Sequence, residues 1–407
     1  MSGAAQSRLD NPSARPRLGR DLSASAIAAG LVAVLVSFGG TAVLMVQAGH
    51  AAGLDAARIG SWIGALSLAL GLGGTVYSLR TGLPIVMAWS TPGAALLVTA
   101  LAGVPFGEAV GAFLLAAALT LACGLFGWID PILRRIPPEI AAAMLAGVLL
   151  NFGMGIFTSV SRQPALVLGM CAAYLLCRRF APRYAVLVVM AVAVALAAAQ
   201  GLIRADQLDW RLTEFVWTTP VFSAQAAVSL GIPLFVVAMA SQNLPGLAIL
   251  QASGYQPPAS RLVATTGVLG LLAAPFGAHS ITMGAISAAI CTGPEAHEEP
   301  ARRYVAAATY GISYVLLSMV AGAVAVFFQA LPAALLAALA GLALLGTIMG
   351  GMASAMANPR RREAALITLL ATASGFSFWG IGSAFWGLAA GLAAHAVFEY
   401  RRAGEAG

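Results

Sequence analysis

Charge is missing from one long stretch of this chain after another. Residues 304–359 hold no Asp, Glu, Lys or Arg, and further charge-free runs occupy 22–54, 59–79, 81–107, 109–129, 140–161, 163–177, 184–203, 215–260, 262–294 and 364–398. A helix needs about 20 mostly apolar residues to cross the hydrocarbon core of a bilayer. These runs therefore read as spans separated by charged loops. With 9% charged and 60% apolar residues in 407, the chain has too little polar surface to cover a soluble fold of this size. The net charge of +7 is scattered and not gathered into one patch, which argues against a nucleic-acid partner.

Counting runs gives 14 spans. Run 304–359 takes two, divided at Pro332; run 364–398 takes two short ones divided near Gly375–Gly380; run 262–294 takes two divided around Pro275–Gly277. A count of 12 results if the Pro/Gly-broken segments near 84–103 and 276–292 are not full helices. All 22 basic residues are Arg, and they test the count. With the N-terminus inside, only Arg58, Arg162, Arg204 and Arg211 fall in outer loops, and the other 18 are cytoplasmic. That bias is what the positive-inside rule requires. The polar first 24 residues, with Arg8, Arg15, Arg17 and Arg20, read as a cytoplasmic tail and not as a cleavable leader. Both termini are expected in the cytoplasm of a multi-pass inner-membrane protein.

The chain also resembles itself. Ser37–Gly49 matches Ser241–Ser253, with Ser37 opposite Ser241 and Gln47 opposite Gln251. Pro84 and Gly93–Ala94 match Pro275 and Gly284–Ala285; Pro138 and Ala146–Gly147 match Pro332 and Ala340–Gly341. With an odd number of spans per half, the second copy enters the membrane upside down, the inverted-repeat pattern of secondary transporters. The expected fold is an all-α polytopic membrane protein of 14 transmembrane segments in a 7+7 inverted repeat. Residues 1–24 form the tail, 25–203 the first repeat, 204–219 the linker and 220–401 the second repeat.

Matching Pro/Gly-interrupted segments in the two halves point to a transporter's binding site. Here they are Pro84–Gly93 and Pro275–Gly284, in the third and tenth segments. In the first, an extended Ile85–Trp89 precedes Ser90 or Thr91 as helix cap, with Pro92 at the first helical position. In the second, Ser280 or Thr282 is expected to cap a helix over Gly284–Cys291. Helix N-termini meeting at membrane depth suit an anionic or strongly accepting ligand. Cys123, Cys171, Cys177 and Cys291 lie in apolar stretches without metal-ligand spacing and read as small buried hydrophobes; no metal or cofactor is expected. Nor are HExxH, GxSxG or paired membrane acids present, so an enzyme is not expected.

The segments AWSTPGAALL (Ala88–Leu97) and SQNLPGLAILQASGY (Ser241–Tyr255) resemble those of the benzoate/proton symporter family, and the resemblance covers about residues 25–400. That family is distantly similar to uracil and purine permeases and to sulfate-type anion transporters. The resemblance implies proton-driven import of benzoate or a similar aromatic carboxylate. It further implies a core domain (25–130 and 220–329) and a gate domain (138–203 and 332–401), with substrate between the broken third and tenth segments.

By this resemblance the substrate site takes Ser90, Thr91 and Gly93 from the first broken segment and Ser280, Thr282 and Gly284 from the second. Gln242 and Asn243 come from the eighth segment, and Trp89, Phe38 and Met283 are candidates for the apolar wall. Uracil permeases carry an acid on the eighth segment where this chain has only Ser241, Gln242 and Asn243, a departure that fits an anionic substrate.

His279 and Glu108 are candidates for proton coupling. The alternatives are a neutral His279 bonded to backbone at the break, Glu108 at the outer interface, or a proton carried by benzoic acid itself. Competing functions are a nucleobase or inorganic-anion carrier on the same fold and a passive anion channel. A homodimer is the assembly expected.

Overall fold

The computed structural model describes residues 18–127, 137–203, 212–379 and 381–405. Most of the tail, with Arg8, Arg15 and Arg17, and the 204–211 part of the linker lie outside the described residues.

The first half folds as α1 (Ala24–Ala51), α2 (Ala56–Thr81), β1 (Met87–Trp89), α3 (Thr91–Ala100), α4 (Phe106–Phe126), α5 (Pro138–Val160), α6 (Pro164–Phe180) and α7 (Ala185–Ala199). The second half gives α8 (Ala224–Ala252), α9 (Ala259–Ala273), β2 (Ile281–Met283), α10 (Ile286–Thr292), α11 (Tyr304–Met319), α12 (Ala321–Gln329), α13 (Ala333–Ala355), α14 (Arg362–Ala373) and α15 (Ser383–Glu405). Between α14 and α15 a small hairpin pairs β3 (Ser377–Phe378) with β4 (Ile381–Gly382).

Local chemistry sets many of the helix ends. Ser23 caps α1 by accepting from Ala26 N at 3.2 Å, and Asp55 caps α2 by accepting from Arg58 N at 2.8 Å. Gly82 and Gly127 close α2 and α4 in the left-handed conformation, where a Cβ would be strained. Pro138 and Pro164 occupy opening turns, where a missing N–H costs nothing.

Among the described residues, seven helices are long and apolar enough to cross a membrane, and an eighth span arises if the bent pair α11–α12 counts as one. The 68° bend of that pair falls at Val320, so the run 304–359 breaks there as well as at Pro332, the N-cap of α13. Large apolar side chains such as Phe157, Leu175, Leu272 and Leu316 stay exposed, as they do on a surface meant for lipid.

The halves interlock. Helix α2 packs along α11, α4 along α9, and α5 along α13 and α14. Small residues allow the close approach that membrane helices rely on. A Cβ added at Gly60 of α2 would lie 2.8 Å from Gly322 Cα, and one at Gly267 of α9 would lie 2.5 Å from Leu121 N of α4. On the arginine-rich side, Asp21 accepts from Tyr304 Oη at 2.9 Å and faces Arg302 at 3.8 Å, while Arg361 meets Glu139 at 3.1 Å. The N-terminal end of the described chain therefore sits beside the loop before α11.

Candidate functional site

The two broken segments cross and pair with each other. Strand β1 runs antiparallel to β2, with Met87 opposite Met283, Ala88 opposite Thr282 and Trp89 opposite Ile281. The ladder extends outward through Gly284 N to Val86 O at 2.9 Å and Ser90 N to Ser280 O at 3.3 Å. Extended backbone inside a hydrocarbon layer is viable only when protein or water satisfies its polar groups. Here each strand satisfies the other.

Beyond the strands the two half-helices begin differently. Ser90 caps α3, its Oγ accepting from Gly93 N at 3.0 Å, and Pro92 follows in the first turn as expected. The second start departs from expectation. Neither Ser280 nor Thr282 caps a helix: the Thr282 hydroxyl donates across the ladder to Ala88 O at 3.1 Å, and the Ser280 carbonyl takes the Ser90 amide. Helix α10 starts at Ile286, with Ala285 before it and no side-chain cap. Strand pairing has claimed the Thr282 hydroxyl that a purely local rule assigns to capping, and it holds Ser280 in the ladder through its backbone.

Three side chains outside the strands hold the crossing in place. Asn243, fully buried, accepts from Met283 N through Oδ1 at 2.9 Å, and its Nδ2 donates to Met239 Sδ at 3.2 Å. It sits in a π-helical turn, Met239–Asn243, within α8. His279 lies buried with Nε2 3.0 Å from Ser90 O and Nδ1 3.1 Å from Trp62 Nε1. An indole N–H can only donate, so Nδ1 is the acceptor and Nε2–H the donor to Ser90 O. Both imidazole nitrogens are thus engaged in the neutral form. Ser78 of α2 bonds Ile85 both ways, donating to its carbonyl at 3.0 Å and accepting from its amide at 3.1 Å.

The expected site residues therefore fall into two groups. Ser90, Gly93, Asn243, Thr282, Gly284, Met283, Trp89 and His279 are buried in the crossing. Thr91, Gln242, Ser280 and Phe38 are half-buried and keep some access. Thr91 Oγ1 lies 2.6 Å from Thr41 Oγ1 of α1. Phe38 packs on Trp89 with ring centroids 5.4 Å apart, and Tyr314 meets the same indole edge-on at 5.1 Å. The Trp89 Nε1 and Tyr314 Oη atoms are buried without a hydrogen-bond partner among the described residues. Tyr310 reaches Ser37 Oγ at 3.2 Å.

Glu108 is not brought to the crossing. It occupies the first turn of α4, after the 10 residues of α3, which is about 15 Å of helix away. An acid in that turn complements the helix dipole.

A cavity of about 490 Å³ lies between α5, α8 and α13, walled by Pro138, Leu145, Phe235, Met239, Ser241 and Thr347 among others. Of these, only Ser241 and Pro138 stand out in the sequence. Leu145, Phe235, Met239 and Thr347 carry no sequence signal; of these only Met239 belongs to the π turn. No group of three or more His, Cys, Asp or Glu side chains that could hold a metal ion occurs among the described residues.

Comparison with known proteins agrees with this architecture. Two solved structures share the fold: SLC26A9, with a TM-score of 0.63 at 12% identity over 92% of this chain, and the transmembrane domain of a cyanobacterial bicarbonate transporter, BicA, with 0.57 at 12% identity over 86%. This chain spans 66% of the length of SLC26A9 and 97% of that BicA domain. In sequence, it is 43% identical over 371 residues to the inner membrane protein YdcO of Escherichia coli, covering 91% of this chain and 95% of that protein. It is 40% identical over 380 residues to the benzoate membrane transport protein of Acinetobacter baylyi, covering 93% and 96%. The chain is a mostly helical, multi-pass inner-membrane protein, and one of these two sequence relatives is named a transport protein. The family profile described as benzoate membrane transport protein matches residues 20–397, and this chain belongs to that family.

Proposed function

We propose that this protein is a secondary active carrier importing benzoate, or a closely related aromatic carboxylate, with protons by alternating access. The observation that carries the reading is the antiparallel crossing of β1 and β2 with a half-helix beyond each strand. Counting each strand with its half-helix as one segment, and α11–α12 as one, gives seven segments before residues 204–219 and seven after. This supports two inverted halves. The pairing of α2 with α11 and α4 with α9, against α5 with α13 and α14, supports a core (25–130, 220–329) and a gate (138–203, 332–401).

In this reading the buried set (Ser90, Gly93, Asn243, Thr282, Gly284, Trp89) fixes the crossing, and the half-buried set meets the ligand. Thr91, Gln242 and Ser280 offer hydroxyl and amide donors to a carboxylate. Phe38, packed on Trp89, suits a ring, and so does the apolar wall of the 490 Å³ cavity, which Ser241 beside Gln242 lines. No acidic side chain stands among Ser241, Gln242 and Asn243 to repel an anion. With both His279 nitrogens engaged and Glu108 far from the crossing, the proton travels on the carboxylate as the neutral acid.

A second reading, an inorganic-anion carrier, draws support from the fold shared with the bicarbonate transporter. Uptake of labelled benzoate into proteoliposomes under an imposed pH gradient separates the two, with unlabelled salicylate, uracil, sulfate and bicarbonate as competitors. Saturable uptake abolished by a protonophore and inhibited by salicylate is expected. Inhibition by bicarbonate or sulfate but not salicylate sinks the aromatic assignment, and uptake indifferent to the pH gradient points to a passive channel.

A further inference from the structure

A second cavity, of about 720 Å³, opens on the arginine-rich side of the molecule. Its volume is within the range of about 300–1,000 Å³ usual for small-molecule sites. One wall is the face of α10 formed by Ile286, Ala289 and Ile290; Ile286 is 65% exposed, an apolar side chain turned to open space. The opposite wall comes from α6, where Tyr174 and Arg178 stand one helical turn apart on the same face.

Arg178 differs from Arg302, Arg303 and Arg361 on this side, and among the described residues it is the one arginine that lines the cavity. Arg302 is held by Asp21 and Glu299, Arg361 by Glu139, and Arg303 by the carbonyls of Thr292 and His297. The Arg178 guanidinium has no ion pair or hydrogen bond among the described residues and lines the cavity exposed. Glu295, on the loop beyond α10, lines it too and has an interaction of its own. Thr347 of α13 borders both this cavity and the 490 Å³ cavity beside the π turn, so the two spaces share a wall.

We propose that this vestibule is a second binding site for an aromatic monocarboxylate, with Arg178 anchoring the carboxylate and the exposed face of α10 seating the ring. An unpaired cation opposite an apolar wall matches such a ligand at both ends. Inorganic anions would use the cation and leave the wall empty. The proposal deepens the carrier reading above and rests on it.

The test uses full-length protein in proteoliposomes of known orientation, with labelled benzoate titrated on each face. Arg178→Gln raises the half-saturating concentration on the arginine-rich face by about two- to fivefold, the range expected of one partly exposed charge contact. It leaves the opposite face unchanged, and Arg178→Lys restores most of the loss. Ala289→Phe, which fills the ring wall and keeps the charge, gives a similar one-sided rise. If Arg178→Gln and Ala289→Phe leave both faces as in the wild type, or shift both faces equally, the vestibule site is wrong and the carrier reading stands. If the wild type moves no benzoate at all, the carrier reading fails and this proposal fails with it.

Discussion

The two crossing segments share a geometry but are held by different means. The first is secured close to home: Ser90 caps the helix that follows it, and Ser78, seven residues before Ile85, binds that residue at both its amide and its carbonyl. The second has no cap of its own and is fixed from a distance. Asn243 binds Met283 across 40 residues, and His279 reaches Ser90 across 189. One strand is thus built by its own sequence neighbourhood, the other by the rest of the fold. Damage to the remote anchors should therefore cost more than damage to the local ones.

His279→Ala puts the greatest strain on that contrast. It removes the bond to Ser90, leaves the Trp62 indole N–H unpaired and opens a hole beside Trp62 and Phe113. Together these cost roughly 2–4 kcal/mol, measurable as a lowered thermal midpoint in detergent. His279→Gln then separates a structural bridge from a proton carrier. The surviving uptake should keep the wild-type pH profile, and a flattened profile would restore His279 as the carrier.

Asn243→Ala comes next. It leaves the buried Met283 amide without its acceptor, which costs about 1–3 kcal/mol, while Asn243→Asp retains an acceptor and should unfold closer to the wild type. A thermal midpoint for Asn243→Ala equal to that of the wild type would break the claim that α8 holds the second strand. Ser90→Ala, the corresponding insult to the first strand, should cost about 1 kcal/mol. If it proves worse than Asn243→Ala, the ordering of local and remote anchors is inverted. Thr91→Val should change stability least, by less than about 1 kcal/mol, yet depress benzoate uptake. Normal uptake would move the ligand away from α3.

The same contrast explains what could be read from the chain beforehand. The first break was legible because its signals are adjacent: Pro84, then Ser90 and Pro92 set two residues apart at a helix start. The second was legible only as a break. Ser280 and Thr282 satisfy a local capping rule, and what defeats it is a strand 194 residues away in sequence, which takes the Thr282 hydroxyl. Asn243 was picked out by resemblance as a ligand; its bond to the Met283 amide becomes visible only once α8 is wound through a π turn. Arginine placement could be read along the chain, but not that Arg302 and Arg361 find acids while Arg178 does not.

The short ladder between β1 and β2 has a mechanical consequence. Each strand is only three residues long, yet the ladder welds a segment of the first half of the chain to one of the second. Sliding one past the other would break several hydrogen bonds in a medium that offers no replacements. Any motion that leaves the ladder intact must therefore carry α3 and α10 together, as two arms of a single lever pivoting at its weld.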